Sequence, residues 1–259
     1  MAIKIAITNA KGGVAKTTTA INIADALTFM GYKVLFIDMD PQGNSSSVYT
    51  GTLVREDTEK TLKDIFEKKE DVRNCITHTE MGDIILTDKS LAEQDTVYQV
   101  QIGGTKILKK ALAPVENDYD FMIMDTPPSV GAFMQNALIA ADGCVCPINP
   151  KKFAVDGLYL LLDKIEQIKE NENPDLKIYG IVLTMYDQRN AQDKGIYQQL
   201  PDLGEEIGFH VFNTPIRTCQ DIEKAIANSE SLFRERGNSN GAKDYANLVG
   251  EILTEINNE

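Results

Sequence analysis

The chain has 259 residues, of which 42% are hydrophobic and 25% charged, and a formal net charge of −13. That length and balance suit one α/β domain with a substantial core. No apolar run reaches membrane-spanning length, the N-terminus has no signal-peptide pattern, and the acidic excess opposes a broad basic footprint for nucleic acid, leaving room for a small, salt-sensitive basic stripe.

In chain order, the alternation of Ile3, Ile5 and Ile7 predicts a strand over 3–8. Lys11-Gly12-Gly13-Val14-Ala15-Lys16-Thr17 follows. Ala20, Ile23, Leu27 and Met30 then recur at helical spacing until Gly31 and Tyr32 end the helix. A glycine-rich turn between a strand and a helix lets backbone N–H groups and the helix N-terminus wrap phosphates. Lys16 stands where a phosphate-loop lysine reaches the β- and γ-phosphates, and Thr17 where a hydroxyl binds Mg²⁺. The usual G-x-x-x-x-G-K-[ST] spacing puts glycines at positions 10 and 15, where this chain has Ala10 and Ala15. If position 15 requires positive φ, an alanine there is strained by roughly 1–2 kcal/mol. The plainer reading is a glycine-rich turn with no ligand. Two acidic segments weigh against it.

The first is Val34 to Ile37, a buried strand over 34–38 that ends in Asp38-Met39-Asp40 and then Pro41-Gln42-Gly43-Asn44. Residues 44–110 are less informative. Thr61 to Phe66 reads as a short helix and 83–87 as a strand. Thr105 to Leu112 reads as another helix, with Lys106, Lys109 and Lys110 exposed. The second acidic segment is a buried strand over 120–125 ending in Asp125, before Thr126-Pro127-Pro128. Carboxylates at the C-terminal ends of parallel strands face the ligand crevice of an open α/β sheet. An aspartate so placed holds Mg²⁺, often through a water.

Further strands are predicted at 143–148 and 178–184, with a weaker one at 209–213. The stripe Leu158, Leu161, Leu162, Ile165 and Ile168 marks a core-facing helix. The alternation predicts an α/β fold, a mostly parallel, doubly wound sheet with helices on both faces. No linker divides it, so residues 1–259 read as a single domain. Cys144 and Cys146 share one face of a strand, as plain packing or as a metal or redox pair. Cys75, Cys219, His78 and His210 lack ligand-spaced partners, which opposes a structural zinc site, and a reducing cytoplasm fits.

Ile7 through Thr19, with Asp38 through Asn44 and Asp125 through Pro128, resembles the ParA/Soj partition ATPases. These belong to the deviant Walker A group of P-loop proteins, with MinD as a more distant member. The resemblance continues through Pro147-Ile148-Asn149-Pro150, Thr184-Met185-Tyr186-Asp187 and Ala242-Lys243-Asp244-Tyr245, and so spans essentially the whole chain. It implies a P-loop NTPase with ATP and Mg²⁺, hydrolysing slowly until a partner and DNA stimulate it. Lys11 would be the signature lysine, reaching across a dimer interface to the nucleotide of the other subunit. Gly12, Gly13, Val14, Ala15, Lys16, Thr17 and Thr18 would surround the phosphates. Thr17 and, through water, Asp125 would hold Mg²⁺, with Asp38 supporting the site and Asp40 orienting the attacking water. Met185 and the segment from Ile216 to Cys219, with Arg217, would lie by the adenine. The ATP-bound homodimer would fall apart after hydrolysis, and a lysine acting in trans implies slow turnover by the lone monomer.

The resemblance also implies non-specific DNA binding, for which Arg189 matches a family arginine, while Asp221 stands where a second arginine is expected. Lys194, Arg217, Lys224, Arg234, Arg236 and Lys243 offer other bases. Membrane binding in the MinD manner calls for a basic C-terminal amphipathic helix. Here Tyr245, Leu248, Val249, Ile252 and Ile256 mark one face, and Asp244, Glu251, Glu255 and Glu259 the other, with Lys243 its single base. Such a helix is repelled by an anionic bilayer and is expected to pack on the domain. The leading expectation is a cytoplasmic, nucleoid-associated partition ATPase whose hydrolysis is stimulated by a centromere-binding, ParB-like protein. Its cargo would be a plasmid, a chromosome or a mobile element. The alternatives are a positioning ATPase with protein cargo, and a regulator of transcription or replication controlled by ATP occupancy. The nitrogenase iron-protein branch needs cluster-bridging cysteines in a pattern this chain lacks.

Overall fold

The computed structural model describes residues 1–52, 59–152 and 155–258. The first half contains β1 (Ile3–Ile7), α1 (Lys16–Phe29), β2 (Val34–Asp38), α2 (Asn44–Thr50), α3 (Leu62–Lys68), β3 (Ile76–Thr79), β4 (Gly82–Ile85), α4 (Asp95–Val100), α5 (Ile107–Leu112) and β5 (Phe121–Asp125). The second contains α6 (Ala132–Ala140), β6 (Gly143–Ile148), α7 (Val155–Asn171), β7 (Lys177–Leu183), α8 (Ala191–Ile207), α9 (Gln220–Asn228), α10 (Leu232–Arg236) and α11 (Asn240–Asn257).

The strands form one sheet in the order β3-β4-β2-β5-β1-β6-β7, parallel except for β3 against β4. Strands covered on both faces read as unbroken apolar runs, which is why β2 and β5 are buried at every position. Their side chains alternate between two cores. Ile5, Ile7, Phe36 and Ile123 pack with α1, α2 and α9 to α11. Ala6, Leu35, Ile37, Met122 and Met124 pack with α3 to α8. Register then fixes the site: Asp125 lies opposite Ile7 on one side and Asp38 on the other, so three chain exits share one row.

Several details differ from the sequence reading. β3 went unpredicted because Ile-Thr-His-Thr has one aliphatic residue and a partly exposed edge position. The strand expected at 83–87 stops at Ile85. The one expected at 209–213 reduces to a single bridge between Ile181 and Val211, because the N–H groups of Asn213 and Thr214 turn to the carboxylate of Glu251. Lys106 is half-buried and ion-paired to Glu172 rather than exposed. On α11, Tyr245, Leu248, Val249 and Ile252 are buried as expected, but Asp244 is buried too; Glu259 lies outside the described residues. Cys144 and Cys146 are buried in one core as free thiols, and the Cys146 sulfur together with burial holds the Cys144 thiol protonated. Among the described residues no group of three His, Cys, Asp or Glu side chains is placed to hold a metal, and no helix is long and apolar enough to cross a membrane.

Candidate active site

The loop between β1 and α1 is braced from outside by neutral side chains. Asn9 donates to the Pro147 carbonyl (2.8 Å) and accepts from the Lys11 N–H (2.9 Å). Asn149 donates to the Gly13 carbonyl (3.3 Å). The Thr184 hydroxyl lies 3.0 Å from the Val14 carbonyl and 2.9 Å from that of Ile148. Gly13 (φ 71°) and Ala15 (φ 60°, ψ 32°) are both left-handed, so position 15 takes the backbone that disfavours an alanine. α1 then begins with no side-chain cap and no acidic residue in its first turn. Ala15 and the first turn thus offer its N-terminal N–H groups no capping side chain, and that positive end suits an anion.

Lys16 is buried at the start of this helix, and its ammonium donates to the Lys11 carbonyl at 3.0 Å. Burial pushes its pKa below the usual lysine range, opposed by the charges of Asp125 and Asp40. The end of the Lys11 side chain rests on α7 over Gly157, where an added Cβ would overlap it.

Facing the loop, Asp125 accepts hydrogen bonds from Ser45 Oγ (2.6 Å) and from the Thr17 side chain. Its Oδ1 is buried with no hydrogen-bond partner. Burial raises the Asp125 pKa, as does the charge of Asp40. Asp38, wholly buried, has both oxygens engaged: Oδ2 accepts from the N–H (2.8 Å) and hydroxyl (2.6 Å) of Ser46, and Oδ1 from the Asp40 N–H (3.1 Å). Burial and the Asp125 charge raise its pKa as well. Asp40 turns back to accept from the Gln42 N–H (3.0 Å). A buried carboxylate oxygen without a donor, beside a threonine hydroxyl, suits a hard divalent cation with oxygen ligands. The residues therefore fit Mg²⁺ with a phosphate chain.

Met185, which directly follows Thr184 of the loop brace, is left-handed (φ 53°), with its sulfur 3.2 Å from Asn149 Nδ2. A bridge joins its neighbour Tyr186 to Arg217, bringing Ile216 to Thr218 alongside. The Arg217 guanidinium is clasped by Asp244 (2.6 and 2.9 Å), so that side chain is committed to α11 rather than turned to a base. Arg189 is almost wholly in solvent and pairs with Asp187 at 3.0 Å. Asp221 lines a groove of ≈ 840 Å³ beside α1, α10 and α11, together with Arg234, Lys243, Phe29 and Phe233. Lys194 and Lys224 are exposed.

The structure thus gathers Lys16, Thr17, Asp38, Asp40 and Asp125 with the main chain of Lys11, whose side chain lies on α7, and leaves Arg189 outside that cluster. Sequence reasoning gave no role to Asn9, Ser45, Ser46, Asn149 or Thr184. Asn9, Asn149 and Thr184 lie within the segments that carry the resemblance, whereas the two serines follow directly on one of them and signal themselves only as small donors after an αL glycine, Gly43.

A family profile described as an AAA domain matches residues 2–178. The sporulation initiation inhibitor protein Soj of Bacillus subtilis is 35% identical over 250 residues, covering 96% of this chain and 97% of that protein. The chromosome partitioning protein ParA of Caulobacter vibrioides is 33% identical over 259 residues, with 96% and 93% covered. The chain belongs to the ParA/Soj family of partition ATPases. Among solved structures, a cobyrinic acid a,c-diamide synthase from Mycobacterium smegmatis with bound ADP and magnesium shares the family's P-loop fold: TM-score 0.82, 28% identity, 99% of this chain and 96% of that one covered.

Proposed function

We propose that residues 1–259 act as one ATP-driven partition switch. The observation that carries this is the unpartnered Asp125 oxygen beside Thr17, at the foot of an uncapped helix that begins with a buried lysine. Main-chain groups from Gly12 to Thr18 and the Lys16 ammonium bind the phosphates. Thr17 and, through water, Asp125 hold Mg²⁺, which when bound supplies charge neutralisation on those phosphates. Asp40 orients water for attack on the γ-phosphorus of ATP, giving ADP and phosphate. Asp38 acts through the turn it fixes, holding Asp40 and Ser46 in place. Lys11 leaves α7 and stabilises transition-state charge on the nucleotide of a second subunit, so hydrolysis is slow in the monomer. Met185 and the main chain around Arg217 border the base.

The ATP homodimer binds DNA non-specifically through a narrow set of cations, Arg189 first, with Arg234 and Lys243 of the groove beside α10 and α11 as further candidates. A centromere-binding, ParB-like protein stimulates hydrolysis and release, and the protein works in the cytoplasm on the nucleoid, without a membrane partner. One observation favours a second reading, positioning of a protein cargo: Arg189 and Arg217 are each engaged by a carboxylate, and Asp221 replaces an expected arginine. DNA retention at low and moderate salt with ATP, ADP or no nucleotide, alongside mass in solution, tests both. Retention with ATP alone, doubled mass and steep salt loss support partition. Doubled mass without retention supports the protein-cargo reading, and an unchanged mass with ATP overturns the dimer switch.

A further inference from the structure

A second surface lies away from the nucleotide. In α4 and the turn after it, Val97 (49%), Val100 (80%) and Ile102 (102%) stand exposed, three aliphatic side chains within six residues. Ile102 rims a groove of ≈ 600 Å³ lined by Ile65, Phe66 and Ile107, with Lys69 and Lys110 at its edge. The acids of this groove are already matched, Glu70 by Lys60 (3.0 Å) and Asp71 by Arg73 (3.5 Å). Among the described residues Lys69 and Lys110 have no ion pair. The groove is therefore apolar and locally positive on a chain of net charge −13.

The turn that presents Ile102 is built and anchored. Gly103 is left-handed (φ 75°), and a Cβ on Gly104 would overlap the Tyr98 carbonyl. Both ends of the segment are clamped by α6. Asp95 accepts from the Phe133 N–H (3.1 Å), with Gly131 leaving room for its carboxylate. At the other end the wholly buried Asn136 donates to the Gly104 carbonyl (2.8 Å) and accepts from the Leu108 N–H (3.0 Å). α6 begins at the end of the loop leaving Asp125, so it ties that loop to the segment carrying Ile102.

We infer that this groove docks a short acidic segment of a partner protein, anchored by an aliphatic or aromatic side chain beside Ile102 and held by Lys69 and Lys110, and that its affinity is linked to the nucleotide through α6. A second copy of this chain fits less well, since a two-fold contact brings the same lysines toward one another. The charge also separates this site from one for an arginine- or lysine-bearing segment. Linkage is reciprocal, so a nucleotide that changes peptide affinity is itself bound differently when the groove is filled.

The test uses the full chain and a dye-labelled twelve-residue peptide of glutamates with leucine and phenylalanine anchors, against a twin with lysine for glutamate. Fluorescence anisotropy should show saturable binding of the acidic peptide only. Binding should weaken at least about tenfold in Ile102→Asp and in Lys69→Glu with Lys110→Glu, and differ at least about threefold between MgATP and MgADP. All of these side chains are at the surface, so melting temperature and basal ATP hydrolysis should stay unchanged. No saturation up to millimolar protein, or equal binding by the variants, overturns the site. Equal affinity in both nucleotides overturns the linkage. A nucleotide-free dimer that Ile102→Asp converts to monomer assigns the groove to a second copy and overturns the partner.

Discussion

The phosphate loop and the surface of α8 to α11 both carry cations, and they hold them in opposite ways. In the loop, Lys16 is buried and donates to a main-chain carbonyl, with Asp40 and Asp125 acting on it through their charge. On the outer surface three arginines clasp carboxylates directly: Arg189 with Asp187, Arg217 with Asp244, Arg236 with Glu230. A charge kept off its nearest acids is ready for a ligand, whereas a paired one must first be released. Release is easy for Arg189, since fully exposed, solvent-screened pairs add little to stability. It is harder for Arg217, because Asp244 is buried and would be left with an uncompensated charge.

The largest expected effect breaks the first side of this contrast. Lys16→Ala should weaken MgATP binding by more than about 100-fold, roughly 2.7 kcal/mol, measured by titration calorimetry. Normal affinity would sink the phosphate-loop assignment. Asp40→Ala comes next: hydrolysis should fall about 100-fold while ATP still doubles the mass in solution. A monomeric, fully active variant contradicts the water-orienting role.

The second side yields smaller effects. Arg189→Glu should reduce DNA retention several-fold, leave ATP-dependent dimerisation intact, and make the salt dependence shallower by about one ion per arginine lost. Unchanged retention would move the DNA surface to the groove around Arg234 and Lys243.

The same contrast explains what could be read from the chain. The loop and both acidic strand ends depend on local backbone geometry and the order of short segments, so Lys16, Thr17, Asp38, Asp40 and Asp125 stand out in the sequence, and the register row puts them together. Ser45 and Ser46 were silent because their role depends on where α2 returns against β5 and β2. Asp244 was misplaced on the polar face of α11 because its partner, Arg217, is distant in sequence. The β3 edge carried too little apolar signal, and the 209–213 segment carried enough but ends where the Asn213 N–H, like that of Thr214 after it, turns to Glu251. Pairing between distant residues is what the pattern alone did not supply.

The buried acids give a pH test. Asp38 and Asp125 have folded-state pKa values raised above ordinary carboxylates, chiefly by burial. A raised value means the native state holds protons the unfolded chain has released. The associated stability is complete in acid, below the unfolded values, and is lost as pH rises through the raised ones. Ligand-free protein should therefore melt several degrees lower at about pH 8 than at about pH 6, and MgADP should flatten the difference by favouring the charged carboxylates. A ligand-free melting temperature that rises over this interval would contradict the raised values.

The smallest effect sharpens the comparison at one backbone position. Ala15 holds φ 60° and ψ 32°, a conformation that disfavours alanine by roughly 1–2 kcal/mol. Glycine removes that strain but adds about 0.5–1 kcal/mol of unfolded-chain entropy. The net gain from Ala15→Gly is then on the order of 0.5–1 kcal/mol, which is about 2 °C in melting temperature for a chain of this size. A lower melting temperature would mean that the half-buried methyl group packs well enough to outweigh the strain. ATP affinity separates two further cases. If it is unchanged, the strain is a local consequence of replacing the usual glycine. If it falls while stability rises, alanine stiffens the loop in its phosphate-ready shape, and this departure from the glycine pattern serves binding.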